Sequence, residues 1–282
     1  MPIGGIALRM NIRCAICSFA VAVLSLTASS VAQAQRSPAV ICTPGVERIA
    51  DGLKACGELT NAFVSRIDSE LKPTDITLQL TSPGGDSGAA IRLARILRQR
   101  GLRLKVSGIC FSSCAHFVFL SAPYVVIDAN TLVGFHHTSS FMYASLISRG
   151  STPTDLLRKN QEVEKEFFHE IGAQRAFLYA PAYFTRPACI GYTKYYGVYD
   201  LFIKTKWSFI IPTRSAMEEI RHAPVQGFWP QNASDVARAV SSWGAIRARD
   251  SFALGWPRMP SEAEVTATCP SSDALRHFRP QR

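Results

Sequence analysis

Long apolar runs are scarce in this chain. The longest, from about Cys14 to Ala28, falls short of the roughly 20 apolar residues that a bilayer-spanning helix requires. No other segment approaches it, so a retained membrane anchor is the poorer reading. The flanks of the run decide what it is: Arg9 and Arg13 stand before it, and the small-residue pattern Ala32-Gln33-Ala34 follows it. A basic lead, a short apolar middle and an Ala-x-Ala end make a secretory signal peptide. Cleavage after Ala34 and export to the periplasm or medium are the expectation. No cysteine sits at the cleavage point, which argues against a lipid-anchored mature form.

Other absences narrow the function. Beyond residue 34 the chain has no Cys-x-x-Cys pair, no internal repeat and no low-complexity tract. The formal charge of +10 falls to +8 when residues 1–34, with two arginines and no acids, are removed. Arg and Lys are scattered, so solubility accounts for the excess and no nucleic-acid partner is expected. The six remaining cysteines are Cys42, Cys56, Cys110, Cys114, Cys189 and Cys269. An even number in an exported chain reads as a disulfide framework, with no metal site and no cofactor expected. Six cysteines allow fifteen connectivities. Cys42 with Cys56 is a plausible local loop, whereas Cys110 and Cys114, four apart at a helix start, are a marginal pair for bridging each other.

What is present is a strand-helix-strand rhythm. Leu59, Ala62, Phe63, Ile67 and Leu71 recur at helical spacing before Pro73. Asp75 to Leu80 alternates as a strand and runs into Ser82-Pro83-Gly84-Gly85-Asp86. Ala89, Ala90, Leu93, Ile96 and Leu97 then mark an amphipathic helix that Gly101 stops. Leu102 to Val106 and Tyr124 to Ile127 read as strands, with a buried helix or helix start from Phe111 to Leu120 between them. A charged helix over Thr154 to Glu170 carries Leu156, Leu157, Val163 and Phe167 as its stripe and is expected to project from the core. Leu201 to Ile211 contains a strand-like run. The predicted architecture is one α/β domain over 35–211 with a largely parallel sheet, followed by an appendage of uncertain structure over 212–282.

Three segments in order carry a resemblance. Leu80-Thr81-Ser82-Pro83-Gly84-Gly85-Asp86 is similar to the strand-to-turn signature of the Clp protease proteolytic subunit. Gly108-Ile109-Cys110-Phe111-Ser112-Ser113-Cys114-Ala115-His116-Phe117-Val118-Phe119-Leu120 resembles that family's nucleophile segment, and Gly134-Phe135-His136-His137 appears at about the distance of its catalytic histidine. The resemblance spans roughly Glu47 to Asp200. It implies the layered β-α-β superhelix shared by Clp-type proteases and crotonases, a peptide or protein substrate, and self-association into rings. An envelope compartment lacks ATP, so no ATPase partner is expected.

A serine hydroxyl needs a neighbouring base in order to attack a carbonyl. His136 is the candidate base and His137 the alternate. In Clp-type chains an apolar pair follows the nucleophile by six and seven residues; counting back from Phe119 and Leu120 selects Ser113, with Ser112 as the alternate. The simpler reading of both serines is that they cap the helix that follows. Gly84 and Gly85 suit an oxyanion hole, since glycine lets backbone amides approach closely. The resemblance adds the amide after the nucleophile, which for Ser113 is that of Cys114. His116 is expected to pack within its helix.

The orienting acid is where the chain departs from the family. Tyr196-Gly197-Val198-Tyr199-Asp200 matches the family's later segment, yet Ala176 to Tyr192 holds no Asp or Glu. Asp155, Glu162, Glu164, Glu166 and Glu170 are the remaining candidates, and all five read most simply as a solvated helix face. The functional expectation is an exported serine peptidase or hydrolase. The alternatives are a catalytically degenerate binding or assembly protein, and a crotonase-like acyl-thioester enzyme.

Overall fold

The computed structural model describes residues 42–147, 150–179, 187–195, 198–205, 209–243 and 252–255, the strand residues between 187 and 205 by their backbone. These lie in one compact unit, Ser37–Arg282. Residues 1–34, expected to be a signal peptide, the side chain of Cys189, and Cys269 lie outside the described residues.

The chain opens with a hairpin of β1 (Gly45–Ile49) and β2 (Gly52–Cys56), then α1 (Asn61–Glu70), β3 (Thr77–Ser82), α2 (Ser87–Arg100) and β4 (Arg103–Phe111). A π-helix (Cys114–Phe119) leads to β5 (Tyr124–Ile127), β6 (Leu132–Gly134), α3 (Ser139–Ile147) and α4 (Asp155–Glu170). A hairpin of β7 (Pro187–Tyr195) and β8 (Val198–Thr205) follows. The remainder is β9 (Phe209–Ile211), α5 (Arg214–Arg221), β10 (Gln226–Gly227), α6 (Ala233–Ser242) and β11 (Phe252–Leu254).

The central seven-stranded sheet runs β1-β2-β3-β4-β5-β10, with β6 paired to β4 off that path. Only β1 is antiparallel to its neighbour; the other pairings are parallel. Leu53, Leu78, Leu80, Leu104, Val106, Val125 and Ile127 are all buried, as strands covered on both faces require. Strand β4 is long enough to serve two partners. Its first half pairs with β5 from Arg103↔Tyr124 to Val106↔Ile127, and its second half pairs with β6 from Ile109↔Leu132 to Phe111↔Gly134.

Helix α2 shows how locally the signals act. Asp86 caps it by accepting from the Ala89 amide at 2.7 Å, and Gly101 ends it in the left-handed region at φ +63°, where glycine carries no Cβ penalty.

Three expectations are corrected here. Helix α4 does not project. Leu157, Phe167 and Phe168 are buried, while Leu156, placed in the apolar stripe, is 68% exposed. The inward stripe is instead Leu157, Gln161, Glu164 and Phe168, spaced by four, three and four as a helix face requires. Cys110 and Cys114 are bonded to each other with Cα atoms 5.3 Å apart, inside the usual span for a cystine. The turn at Ser112 folds the chain back enough to allow this. Cys42 is bonded to Cys56.

The described residues beyond 212, namely 212–243 and 252–255, are part of the same core rather than an appendage. Strand β10 extends the sheet beside β5, and Met217, Ile220, Val225, Trp229 and Ala239 are buried in the cluster that holds Leu104 and Ile127. The two helices here are amphipathic but only eight and ten residues long, and were passed over in the sequence. Arg221 ties this segment down. The guanidinium donates to the carbonyls of Phe119 and Ala122 and lies 4.8 Å above the Phe119 ring. Burial lowers its pKa to about 10, so the cation persists at neutral pH. Arg221→Ala leaves two buried carbonyls without a donor and is expected to cost about 1 to 3 kcal/mol of unfolding free energy, read by urea denaturation. An unchanged midpoint would show that these two bonds contribute nothing to the attachment.

Candidate active site

Three strand ends build the site. Strand β3 ends at Ser82 and delivers the turn Pro83-Gly84-Gly85, β4 ends at Phe111 and delivers Ser112, and β6 ends at Gly134 and delivers His136. Because β4 and β6 run parallel with Phe111 opposite Gly134, the residues just past the two ends emerge side by side. The Ser112 amide donates to the Gly134 carbonyl at 3.1 Å, continuing the ladder one step beyond the strand. Phe135 is held from the other side by Ile210 of β9 through reciprocal backbone bonds of 3.0 and 2.8 Å. The rings of Phe111 and Phe209 stack at 4.4 Å beneath them.

The result is a hydrogen bond of 2.5 Å between Ser112 Oγ and His136 Nε2. It is Ser112, and not Ser113, that the structure brings to the imidazole. The Ser113 hydroxyl is buried without a partner and makes no cap bond to the helix it precedes, so neither serine acts as the expected cap. The spacing argument slips by one residue for a physical reason. The helix after the serine is a π-helix, whose i→i+5 bonds accommodate an extra residue per turn, a feature often found at functional sites. Ser112 itself has φ +57°, a left-handed conformation that serine seldom adopts and that marks functional turns.

This shift changes which amides lie beside the serine. The amide after Ser112 is that of Ser113, not Cys114. The Gly84 amide donates to Ser82 Oγ at 3.1 Å and is not available. What Gly84 provides is proximity, since a Cβ there would lie 2.6 Å from both the Phe111 carbonyl oxygen and Ser112 Cβ. Among the described residues no acceptor engages the amides of Gly85 and Ser113. Both residues line a cavity of about 160 Å³ together with Ser112, His136, His137 and Glu164.

Three imidazoles crowd this region and all are held neutral at neutral pH. Burial is the first cause of the lowered His136 pKa, with repulsion from His137 and His116 behind it. His137, its ring 4.3 Å from that of His136, has Nδ1 buried without a partner and does not reach either serine. Burial lowers its pKa to about 4. His116 does more than pack. Its backbone amide and its Nδ1 both point to the Ser112 carbonyl, at 2.9 and 3.0 Å. A carbonyl only accepts, so Nδ1 carries the proton.

Among the described residues no carboxylate bonds His136. Of the five candidate acids, Asp155 and Glu170 pair with Arg158 and Arg95, and Glu162 and Glu166 are exposed. Glu164 is the exception to the solvated-face reading. It is 1% exposed and accepts from Ser87 Oγ, the amides of Ser139 and Ser140, and Ser140 Oγ. Burial raises its pKa against those bonds. Its position on the Leu157-Gln161-Phe168 face was the sequence signal that could have found it. Tyr196, Gly197 and the side chain of Asp200 lie outside the described residues. Also among the described residues, no cluster of His, Cys, Asp and Glu forms a metal site.

No family model matches the chain, and no curated protein matches it. Among solved structures, a ClpP1 mutant from Listeria monocytogenes is similar at 14% identity and a TM-score of 0.33, covering 44% of this chain and 75% of that one. A mutant of the 1510-N membrane-bound stomatin-specific protease is similar at 12% identity and a TM-score of 0.30, covering 44% of this chain and 65% of that one.

His116 generates a pH prediction. Burial lowers its pKa from 6.5 to about 4, so between those values the unfolded chain binds the proton and the folded chain does not. Folding stability is then complete above pH 6.5 and falls on acidification toward pH 4, by up to about 1.4 kcal/mol per pH unit for such a group. His116→Gln should flatten that part of a stability profile measured by urea unfolding. An unaltered slope would place the lost stability elsewhere.

Proposed function

We propose that this chain is a serine hydrolase of the acyl-transfer kind, most simply a peptidase on a Clp-like fold, working with a Ser112–His136 dyad. The observation that carries the reading is the 2.5 Å bond between Ser112 Oγ and His136 Nε2 on a serine in the left-handed conformation. Attack by Ser112 Oγ on a carbonyl carbon passes the hydroxyl proton to His136 Nε2, while the carbonyl π electrons move to oxygen. The amides of Gly85 and Ser113 are the donors for that oxyanion. Collapse expels the amine, which takes the proton back from His136, and a water molecule activated by the same nitrogen then releases the acyl group. A neutral imidazole is already the basic form, so the dyad is primed without an acid.

The choice of peptide or protein substrate, and self-association, rest on the sequence resemblance. Export to the periplasm rests on the leader pattern and is supported by two cystines, which persist in oxidising compartments. The absence of a described carboxylate at His136 Nδ1 favours a second reading, a binding protein that retains the fold without turnover.

A fluorophosphonate probe separates the two readings. Labelling is expected for the wild type and for Ser113→Ala, and is expected to vanish in Ser112→Ala. Folded wild type that resists the probe would favour the binding protein, and labelling that persists in Ser112→Ala would overturn the assignment. Because His136 has a lowered pKa, the acid limb of the labelling rate should fall below pH 6.5, the ordinary imidazole value. A limb at or above 6.5 would contradict the neutral-base account.

A further inference from the structure

The ring closed by the Cys110–Cys114 bond contains Phe111, Ser112 and Ser113 and nothing else. Both cysteines are fully buried. Cys110 is fixed in the sheet, opposite Ser82 on one side and Val133 on the other, and Cys114 is the first residue of the π-helix. The covalent link therefore joins the end of the strand to the start of the helix across the one residue whose hydroxyl meets His136.

A left-handed serine persists only where its surroundings over-determine it. The hydrogen bonds at Ser112 hold its amide to Gly134 and its carbonyl to His116. No side-chain hydrogen bond holds its neighbour, since the Ser113 hydroxyl is buried unpartnered and caps nothing. The cystine closes the stretch that these bonds leave open. Unlinked, the chain can relax at Ser112 from φ +57° toward negative φ, which carries Oγ away from His136 and turns the following Ser113 amide off the cavity.

We propose that the Cys110–Cys114 disulfide is the positioning element of the nucleophile, so that Ser112 is competent only in the oxidised chain. This inference rests on the serine-hydrolase reading. It makes the site latent wherever thiols stay reduced and active where a disulfide donor has taken two electrons and two protons from the cysteine pair.

The test compares fluorophosphonate labelling kinetics of the oxidised full-length wild type, of a Cys110→Ala/Cys114→Ala double variant, and of Cys42→Ala/Cys56→Ala, which removes the other disulfide. The expected result is a loss of about tenfold or more in the maximal inactivation rate of the first variant, with little change in probe affinity, as for an interaction felt only in the reacting state. Its melting temperature should shift no more than that of the Cys42→Ala/Cys56→Ala variant, whose labelling should match wild type. Folded Cys110→Ala/Cys114→Ala protein that labels within about twofold of wild type would overturn the proposal.

Should that variant not fold, wild type is reduced stepwise with dithiothreitol, which gives two electrons and two protons to the cystine and closes to its own cyclic disulfide. Labelling should then track the fraction of Cys110–Cys114 still bonded, counted by peptide mass spectrometry. Labelling independent of that fraction overturns the proposal. Oxidised wild type that never labels removes the hydrolase reading and this one with it, an outcome distinct from a labelled wild type with an equally labelled variant.

Discussion

The parallel pairing of β4 with β6 is the constraint from which the site follows. Once Phe111 stands opposite Gly134, a serine one residue past the first strand and a histidine two past the second have little choice but to meet. Everything around this pairing stiffens it. Ile210 grips Phe135, Phe209 stacks on Phe111, and the cystine closes the turn between strand and helix. Strand β9 belongs to the chain's later part, and the packing of 209–254 is therefore as close to the chemistry as the Gly-Gly turn is.

Electrostatics complete the arrangement in an economical way. A buried imidazole that no carboxylate bonds among the described residues is held in its basic form by desolvation, because burial penalises the charged state. The same effect makes the imidazolium that would form during attack more costly, so a dyad of this kind relies on the oxyanion donors more than a triad does. Gly85 and Ser113, which line the cavity, are the donors proposed for it, while Gly84 trades its own amide for close approach to Ser112. Glu164, the one buried acid of the cavity wall, is satisfied by Ser87, Ser139 and Ser140, which fixes α4 to the start of α3.

Much of this was legible in residue order. Helix α2 announced itself at both ends, through Asp86 and Gly101, because caps and left-handed stops are local chemistry. Strand β5 was readable from its β-branched run, and the meeting of a serine from one segment with His136 from another was anticipated by the motif order. The misses share a cause, namely that the deciding contact was not local. Ser113 was preferred over Ser112 because a count along the chain assumes an ordinary helix, and the π-helix shifts that count. Glu164 was read as solvated because Leu156 was placed in the stripe, and its spacing from Leu157, Gln161 and Phe168, the face that packs inward, was passed over. The core beyond 212 escaped notice because α5, β10 and α6 are short, although Ala216, Met217 and Ile220 in α5 and Val236 and Ala239 in α6 are buried at helical spacing.

The account turns on which hydroxyl reacts and where the resulting oxyanion sits. A crystal structure of the phosphonylated protein measures both at once. Phosphorus bonded to Ser112 Oγ, with its free oxygen within hydrogen-bond distance of the Gly85 and Ser113 amides, is the predicted result. Phosphorus on Ser113, or an oxygen turned away from both amides, would contradict it.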